Sequence, residues 1–181
     1  DRIYGGDGTD TVSFSDVTVA DGEDASERGV EVDLVAGTAS GTESGDDQIS
    51  GIEHVIGGAG DDFLKGDDQE NILTGGAGDD IFEGRGGDDS LVGGEGIDTA
   101  SFSESNSSLT IDMTAGTATG DDIGSDTFDS IERVVAGSGD DVLMGSAADD
   151  EFDGGAGDDT YYASDGDDIL VTGGGSDILH I

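Results

Sequence analysis

Large apolar side chains recur every nine residues over two stretches of this chain. From Gly57 the blocks read GGAGDDFLK, GDDQENILT, GGAGDDIFE, GRGGDDSLV and GGEGIDTAS. From Ala136 they read AGSGDDVLM, GSAADDEFD, GGAGDDTYY, ASDGDDILV and TGGGSDILH. The eighth position holds Leu64, Leu73, Phe82, Leu91 and Ala100 in the first array, and Leu143, Phe152, Tyr161, Leu170 and Leu179 in the second. A single apolar residue between two polar ones describes a very short strand with one buried face. The preceding six glycine-rich residues describe a turn. Two blocks then make one coil with two strands and two turns, and coils stacked ~4.8 Å apart form parallel sheets.

A longer repeat lies over the short one. IEHVIGGAGDDFLKG at 52–66 returns as IERVVAGSGDDVLMG at 131–145, an offset of 79, which also carries Asp80 onto Asp159 and Asp98 onto Asp177. VDLVAGTASG at 32–41 returns as IDMTAGTATG at 111–120, while VSFS at 12–15 returns as ASFS at 100–103 with an offset of 88. The chain therefore reads as one continuous β-solenoid over residues 1–181, built from tandem units of about 1–92 and 93–181. The inserts at 10–50 and 98–129 break the nine-residue phase. Within them GVEVDL and SLTIDM alternate as half-buried strands, and TVADGEDASERG reads as a polar loop. The expectation is that the insert strands continue the solenoid as wider coils, with a hairpin across the roll as the alternative. A solenoid needs end caps, and the chain starts in mid-repeat at DRIY, so a fragment of a longer protein, or a unit joining copies of itself end to end, is expected.

Charge changes this picture. The 181 residues carry 45 Asp+Glu against 5 Lys+Arg, a formal net charge of -40, with 35 Gly and neither Pro nor Cys. Five basic residues cannot assemble the cationic face that nucleic acid requires, and an anionic membrane surface repels such a chain. No apolar run approaches the ~18 residues of a spanning helix. Low hydrophobicity with large net charge is otherwise the signature of disorder, and self-repulsion opposes any compact state. Low-complexity sequence does not hold a nine-residue phase, which leaves a counter-charge bound as part of the fold.

The sixth positions show where that charge binds. They are Asp62, Asn71, Asp80, Asp89 and Asp98, then Asp141, Asp150, Asp159, Asp168 and Asp177, with Asp10 in the N-terminal block. Stacking coils aligns Asp62 with Asp80 and Asp98, Asn71 with Asp89, Asp141 with Asp159 and Asp177, and Asp150 with Asp168. Carboxylates at that spacing repel strongly; a divalent cation between each pair reverses the sign. Carboxylate and main-chain carbonyl oxygens on flexible glycine turns suit six to eight contacts, the chemistry of calcium rather than of magnesium. Zinc and copper favour His or Cys, and the chain has only His54 and His180.

GGAGDDFLK, GGAGDDIFE and GGAGDDTYY match the GGxGxDxUx nonapeptide, and on these motifs the sequence resembles the RTX, or repeats-in-toxin, calcium-binding family. The resemblance implies an all-β, right-handed parallel β-roll with several Ca2+ ions between stacked turns, and a secreted or cell-surface protein exported by type I secretion. It also implies that each ion takes sixth-position carboxylates and main-chain oxygens from two turns one coil apart. Carried over, Gly57, Ala59 and Asp62 share an ion with Gly76, Gly78 and Asp80, and Gly75, Ala77 and Asp80 share the next with Gly94, Gly96 and Asp98. Asn71 faces Gly87 and Asp89, and Asp150 faces Gly166 and Asp168. Ala136, Ser138 and Asp141 face Gly155, Gly157 and Asp159, while Gly154, Ala156 and Asp159 face Gly173, Gly175 and Asp177.

Departures from the pattern are expected to matter. Asn71 lacks the carboxylate in a turn poor in glycine, so its site should be weak or altered. Glu53 and Glu132 put a longer arm at sixth positions, where ordinary sites are not expected. The fifth-position Asp61, Asp79, Asp88, Asp140, Asp158 and Asp167 read as solvated outer charge. His54 reads as a surface residue, and Tyr161 and Tyr162 as a core residue beside an exposed one. No constellation of catalytic groups stands out from the acidic lattice, so the chain is read as a non-enzyme. The expected function is a calcium-folded structural module of an adhesin, surface layer or matrix fibre. The alternatives are a secretion module attached to an RTX enzyme, and a glycan- or ice-binding solenoid.

Overall fold

The computed structural model describes residues 1–15, 29–41 and 44–181. Its strands are β1 Arg2–Tyr4, β2 Thr11–Ser13, β3 Val30–Asp33, β4 Thr38–Gly41, β5 Gly45–Ser50, β6 His54–Ala59, β7 Phe63–Lys65, β8 Ile72–Ala77, β9 Ile81–Glu83 and β10 Ser90–Glu95. They continue as β11 Thr99–Ser101, β12 Thr110–Asp112, β13 Thr117–Gly120, β14 Gly124–Asp129, β15 Arg133–Val135, β16 Val142–Met144, β17 Glu151–Asp153, β18 Thr160–Tyr162, β19 Ile169–Val171 and β20 Ile178–His180. The described fold is all-β. Two ten-stranded sheets run side by side, one in the order β1-β5-β4-β3-β7-β9-β11-β15-β17-β19, the other β2-β6-β8-β10-β14-β13-β12-β16-β18-β20.

In the arrays successive blocks alternate between the sheets, and each strand pairs in parallel with the one a coil later. Leu64 lies beside Phe82 and Leu73 beside Leu91. Leu143 lies beside Tyr161, and Phe152 beside Leu170. The eighth-position side chains meet between the sheets: Leu64, Leu73, Phe82, Leu91, Ala100, Leu143 and Tyr161 are fully buried. In the arrays this seam is only one residue wide per strand, and the inserts add Val30, Val32, Ile49, Leu109, Ile111 and Phe128 to it.

The inserts are not wider coils. Each is a three-stranded antiparallel meander laid into one sheet: β3-β4-β5 in the first unit and β12-β13-β14 in the second. The meander runs backwards through its sheet. Its last strand, β5, pairs with β1, and its first, β3, with β7; in the second unit β14 pairs with β10 and β12 with β16. A local turn accounts for the reversal. The Asp33 carboxylate accepts the Ala36 N–H at 2.8 Å and Gly37 takes φ +67°, while Asp112 and Ala115 (2.9 Å) with Gly116 (φ +63°) repeat the device. A side-chain-capped turn closed by glycine folds a strand back on itself. The strands expected at GVEVDL and SLTIDM are present as β3 and β12; the loop TVADGEDASERG lies outside the described residues, apart from Gly29.

The two meanders occupy opposite sheets. Between equivalent strands β2 and β11 the chain crosses from sheet to sheet an odd number of times, so the second unit meets the sheets in exchanged order. The first meander widens one sheet by three strands where the other has β2 directly beside β6. The second widens the other sheet where β11 lies beside β15. The sheets therefore finish with equal strand counts.

The meander turn gives a direct check. In the Gly116→Ala variant the new methyl group meets the Phe128 carbonyl from a left-handed backbone. Such a residue costs about 1–3 kcal/mol, and the expected loss of thermal stability in saturating calcium is about 2–4 °C per kcal/mol for a chain of this size.

Candidate metal-binding turns

The sixth-position residues stand in two columns, one along each edge of the roll. The first contains Asp62, Asp80, Asp98, Glu132, Asp150 and Asp168, each just before a strand of the β1-containing sheet. The second contains Asp10, Glu53, Asn71, Asp89 and Asp126, then, across the second meander, Asp141, Asp159 and Asp177. One hydrogen bond repeats along both. The sixth-position N–H donates to the carboxylate one coil later: Asp62 to Asp80 (2.8 Å), Asp80 to Asp98 (2.9 Å), Asn71 to Asp89 (2.8 Å), Asp141 to Asp159 (2.9 Å), Asp150 to Asp168 (3.1 Å) and Asp159 to Asp177 (3.1 Å). The meanders plug into this ladder, since Val30 donates to Asp62 at 2.7 Å and Leu109 to Asp141 at 2.8 Å. Glu53 and Glu132 hold the same place despite the longer arm, accepting from Asp10 (2.9 Å) and Asp98 (3.0 Å).

The ladder uses only one oxygen of each carboxylate. The second oxygen, Oδ2, of Asp10, Asp80, Asp89, Asp98, Asp126, Asp141 and Asp159 is buried without a hydrogen-bond partner. A buried carboxylate oxygen left alone is costly, and seven repeats of the same one are a feature of the lattice rather than an accident of packing. The orphaned oxygen of Asp80 turns toward Gly75, that of Asp98 toward Gly93 and that of Asp159 toward Gly154, where a Cβ would overlap it. On Gly57 a Cβ would also lie 2.8 Å from the Gly75 carbonyl, so a carboxylate and a main-chain oxygen border one small space. Hard oxygen donors in a cradle without side chains fit calcium.

Glycines at the second and fourth positions have a separate cause. Gly76, Gly78, Gly94, Gly96, Gly157, Gly166 and Gly175 all have φ near +130°, and a Cβ on any of them would strike the carbonyl oxygen 18 residues earlier. Gly87 is the same over Gln69, with that contact at 2.5 Å, and Gly155 and Gly173 stack on Gly137 and Gly155. Parallel pairing runs on into the turn, with Gly76 between Gly58 and Gly94, and Ala77 between Ala59 and Glu95; Ala156 bridges Gly174, and the Ser138 N–H donates to the Ser105 carbonyl. Among the described residues no three acidic or imidazole side chains converge on one point. Any ion held here therefore draws on main-chain carbonyls as well as carboxylates.

Electrostatics follow from burial. Desolvation, the largest cause, pushes Asp80, Asp89 and Asp126 up to about 7 and Asp62 and Asp141 up to about 6, partly offset by the N–H each accepts. Asp98 and Asp159 rise for the same reason. A column of carboxylates in this state resists ionisation until a cation compensates it.

Sequence reasoning missed Asp126. It is buried, accepts the Asp89 N–H at 2.9 Å and continues the second column within the meander. Only six residues separate it from Glu132, so a nine-residue frame passes over it. The signal was GSDTFD, a half-repeat with glycine, aspartate and a buried Phe128 in order. Its counterpart GDDQIS places Asp47 beside Asp1 at the other end. The fifth-position aspartates were also underread. They are mostly exposed, yet Asp61 accepts the Asp79 N–H (3.0 Å), Asp79 that of Ile97 (2.9 Å), Asp88 that of Ser125 (2.9 Å), Asp140 that of Asp158 (2.9 Å), Asp149 that of Asp167 (2.9 Å) and Asp158 that of Ser176 (2.8 Å). They form a second ladder of opposite sense, from each carboxylate to the following coil.

The family model for the RTX calcium-binding nonapeptide repeat (4 copies) matches residues 1–16, 47–82, 66–100, 126–161 and 162–179, more than half of the chain. The chain belongs to this family. Two of the matches begin on Asp47 and Asp126, the carboxylates that the nine-residue frame passes over. A search of curated proteins found no match. Calcium binding is a property of these RTX repeats, and the all-β roll with its two parallel-rich sheets agrees with it.

Two measurements test the lattice. Asp80→Ala and Asp126→Ala should each raise the calcium midpoint of folding by roughly 10–100-fold, whereas Asp61→Ala, which loses one exposed hydrogen bond, should shift it far less; equal shifts would contradict the register. The raised acids also fix the sign of the pH response. A carboxyl whose folded value exceeds the ordinary 3.8 adds stability that is present below about 4 and lost as pH rises through 6 to 7. In chelator, β-structure measured by far-UV circular dichroism should therefore be greater at pH 4 than at pH 7.5, and with calcium present the midpoint should move to higher calcium as pH falls from 8 to 6.

Proposed function

We propose that this RTX module is a calcium-dependent folding unit, a non-catalytic structural part of a secreted bacterial protein of the adhesin, surface-layer or extracellular-fibre kind. The observation that carries this reading is the row of seven buried carboxylate oxygens without partners in two continuous columns. A chain of net charge -40 can close that row only when counter-charge arrives. Candidate ligands in the first column are Asp62, Asp80, Asp98, Asp150 and Asp168. In the second they are Asp10, Asp89, Asp126, Asp141, Asp159 and Asp177, with main-chain oxygens of the adjoining glycine turns.

Calcium supplies hard positive charge at each interval when bound; the chain's own residues do the rest. Sixth-position carboxylates hold the register through their N–H ladder, and the stacked glycines keep side chains out of the cradle. Because the carboxylate of Asp80 borders two coils, filling one interval arranges the next, which makes folding cooperative. At the scarce calcium inside a cell the carboxylates repel and the chain stays extended. Outside, extracellular-type sites working at ~10⁻⁴–10⁻³ M fill, and the ion-binding free energy becomes folding free energy. Both units are proposed to fold as one solenoid, since the two sheets run through both.

The test is a calcium titration followed by far-UV circular dichroism, with magnesium as the control. The expected result is a steep transition from coil to β in calcium alone. A full β signal in chelator at pH 7.5, unchanged by calcium, would show that the core folds unaided and would overturn the proposal.

A further inference from the structure

One turn of the ladder differs from the rest. We propose that the turn at residues 66–71 is not a calcium site and that the Arg85 guanidinium takes the cation's place there, locking the first meander to the roll. The inference rests on the reading that the other turns bind calcium.

The seam beneath this turn is unusual. Strand β7 rests on β3, but after Asp33 the chain turns away into the meander hairpin, so no full glycine turn underlies residues 66–71. Arg85 reaches down from the coil above into this gap. Its Nη1 donates to the Gly66 carbonyl at 2.6 Å and to Asp33 Oδ1 at 3.0 Å, and its Nη2 donates to Asp33 Oδ2 at 3.0 Å. One fork thus binds three successive layers, in the two-pronged geometry that a guanidinium and a carboxylate share. Its backbone reports the same commitment. Arg85 sits at φ +70° in the position where Gly76 and Gly94 stand, a left-handed conformation that side chains avoid.

The sixth position agrees independently. Asn71 is buried, and its Oδ1 accepts the Asp67 N–H at 2.7 Å. Asp62 and Asp150 accept the same bond from four residues back, but each keeps a carboxylate's charge for an ion, which the neutral amide of Asn71 does not. The second unit supplies a built-in comparison. At the equivalent places it has Asp150 for Asn71, Ser164 for Arg85 and Asp112 for Asp33. Asn71 takes the carboxylate away from the sixth position and Arg85 brings a cation to the seam, where the second unit has neither change. The guanidinium belongs to the chain, so in the folded roll this seam needs no ion of its own.

Native mass spectrometry in calcium counts the ions. The double variant Arg85→Gly with Asn71→Asp restores a glycine turn and a carboxylate, and should carry one ion more than the parent chain. An unchanged count in a variant whose calcium-loaded circular dichroism matches the parent would overturn the assignment. Arg85→Gly alone should keep the parental count while amide exchange over residues 30–41 speeds up in saturating calcium; an added ion in that single variant, or unchanged exchange, would equally overturn it. A parent chain that binds no calcium is a different result, one that defeats the calcium reading itself.

Discussion

Repulsion between carboxylates stacked one coil apart is the constraint on which this roll depends. In the arrays the apolar seam is one side chain wide per strand, narrow for a chain with so many acids. Folding brings the sixth-position carboxylates into two buried columns, where desolvation raises the pKa of Asp80, Asp89 and Asp126 to about 7. Without compensation, the step that completes the seam is the step that concentrates charge. Register and ion binding are thus one event: the contact that aligns Leu64 with Phe82 also aligns Asp62 with Asp80.

The two inserts show how a parallel solenoid can absorb irregular sequence without losing that register. Each meander is antiparallel inside but presents parallel edges to the roll above and below. Val30 and Leu109, apolar residues, supply the N–H that a sixth-position residue supplies elsewhere. Backbone suffices for that half of the ladder, which is why the inserts need no repeat motif at their upper edge. At the lower edge a carboxylate is needed, and Asp126 provides it. Exchange of sheets between the units then lets each meander balance the other.

Much of this was legible in the chain because the repeat is short and its chemistry is periodic. The nine-residue phase located the array strands and the buried eighth positions, and the phase of Asp62, Asp80 and Asp98 located the first column. The legibility failed where a residue's role falls outside the nine-residue period. VDLVAGTASG was visible as a repeat, but whether it widens a coil or folds back depends on Asp33 capping Ala36, a local turn that a period of nine does not report. Asp126 was hidden by a six-residue spacing. The Arg85 fork joins residues 52 apart, and nothing in GRGGDDSLV announces where its guanidinium goes.

The two oddities of composition, glycine and acid, have one origin. Coils stacked in parallel at strand spacing bring second- and fourth-position backbone directly over the carbonyls of the coil below, as Gly76 lies over Gly58 and Gly94 over Gly76. A side chain on either of these glycines would strike the coil below, and coils held apart could not share an ion. Glycine thus serves the carboxylates by keeping the spacing that their ions require. The carboxylates serve the glycines in turn: residues with so much backbone freedom lose the most entropy on ordering, and each ladder bond from a sixth-position N–H to the next coil's aspartate fixes one turn. Substituting either class alone leaves the other without a purpose, and so the two recur together in most turns of both arrays.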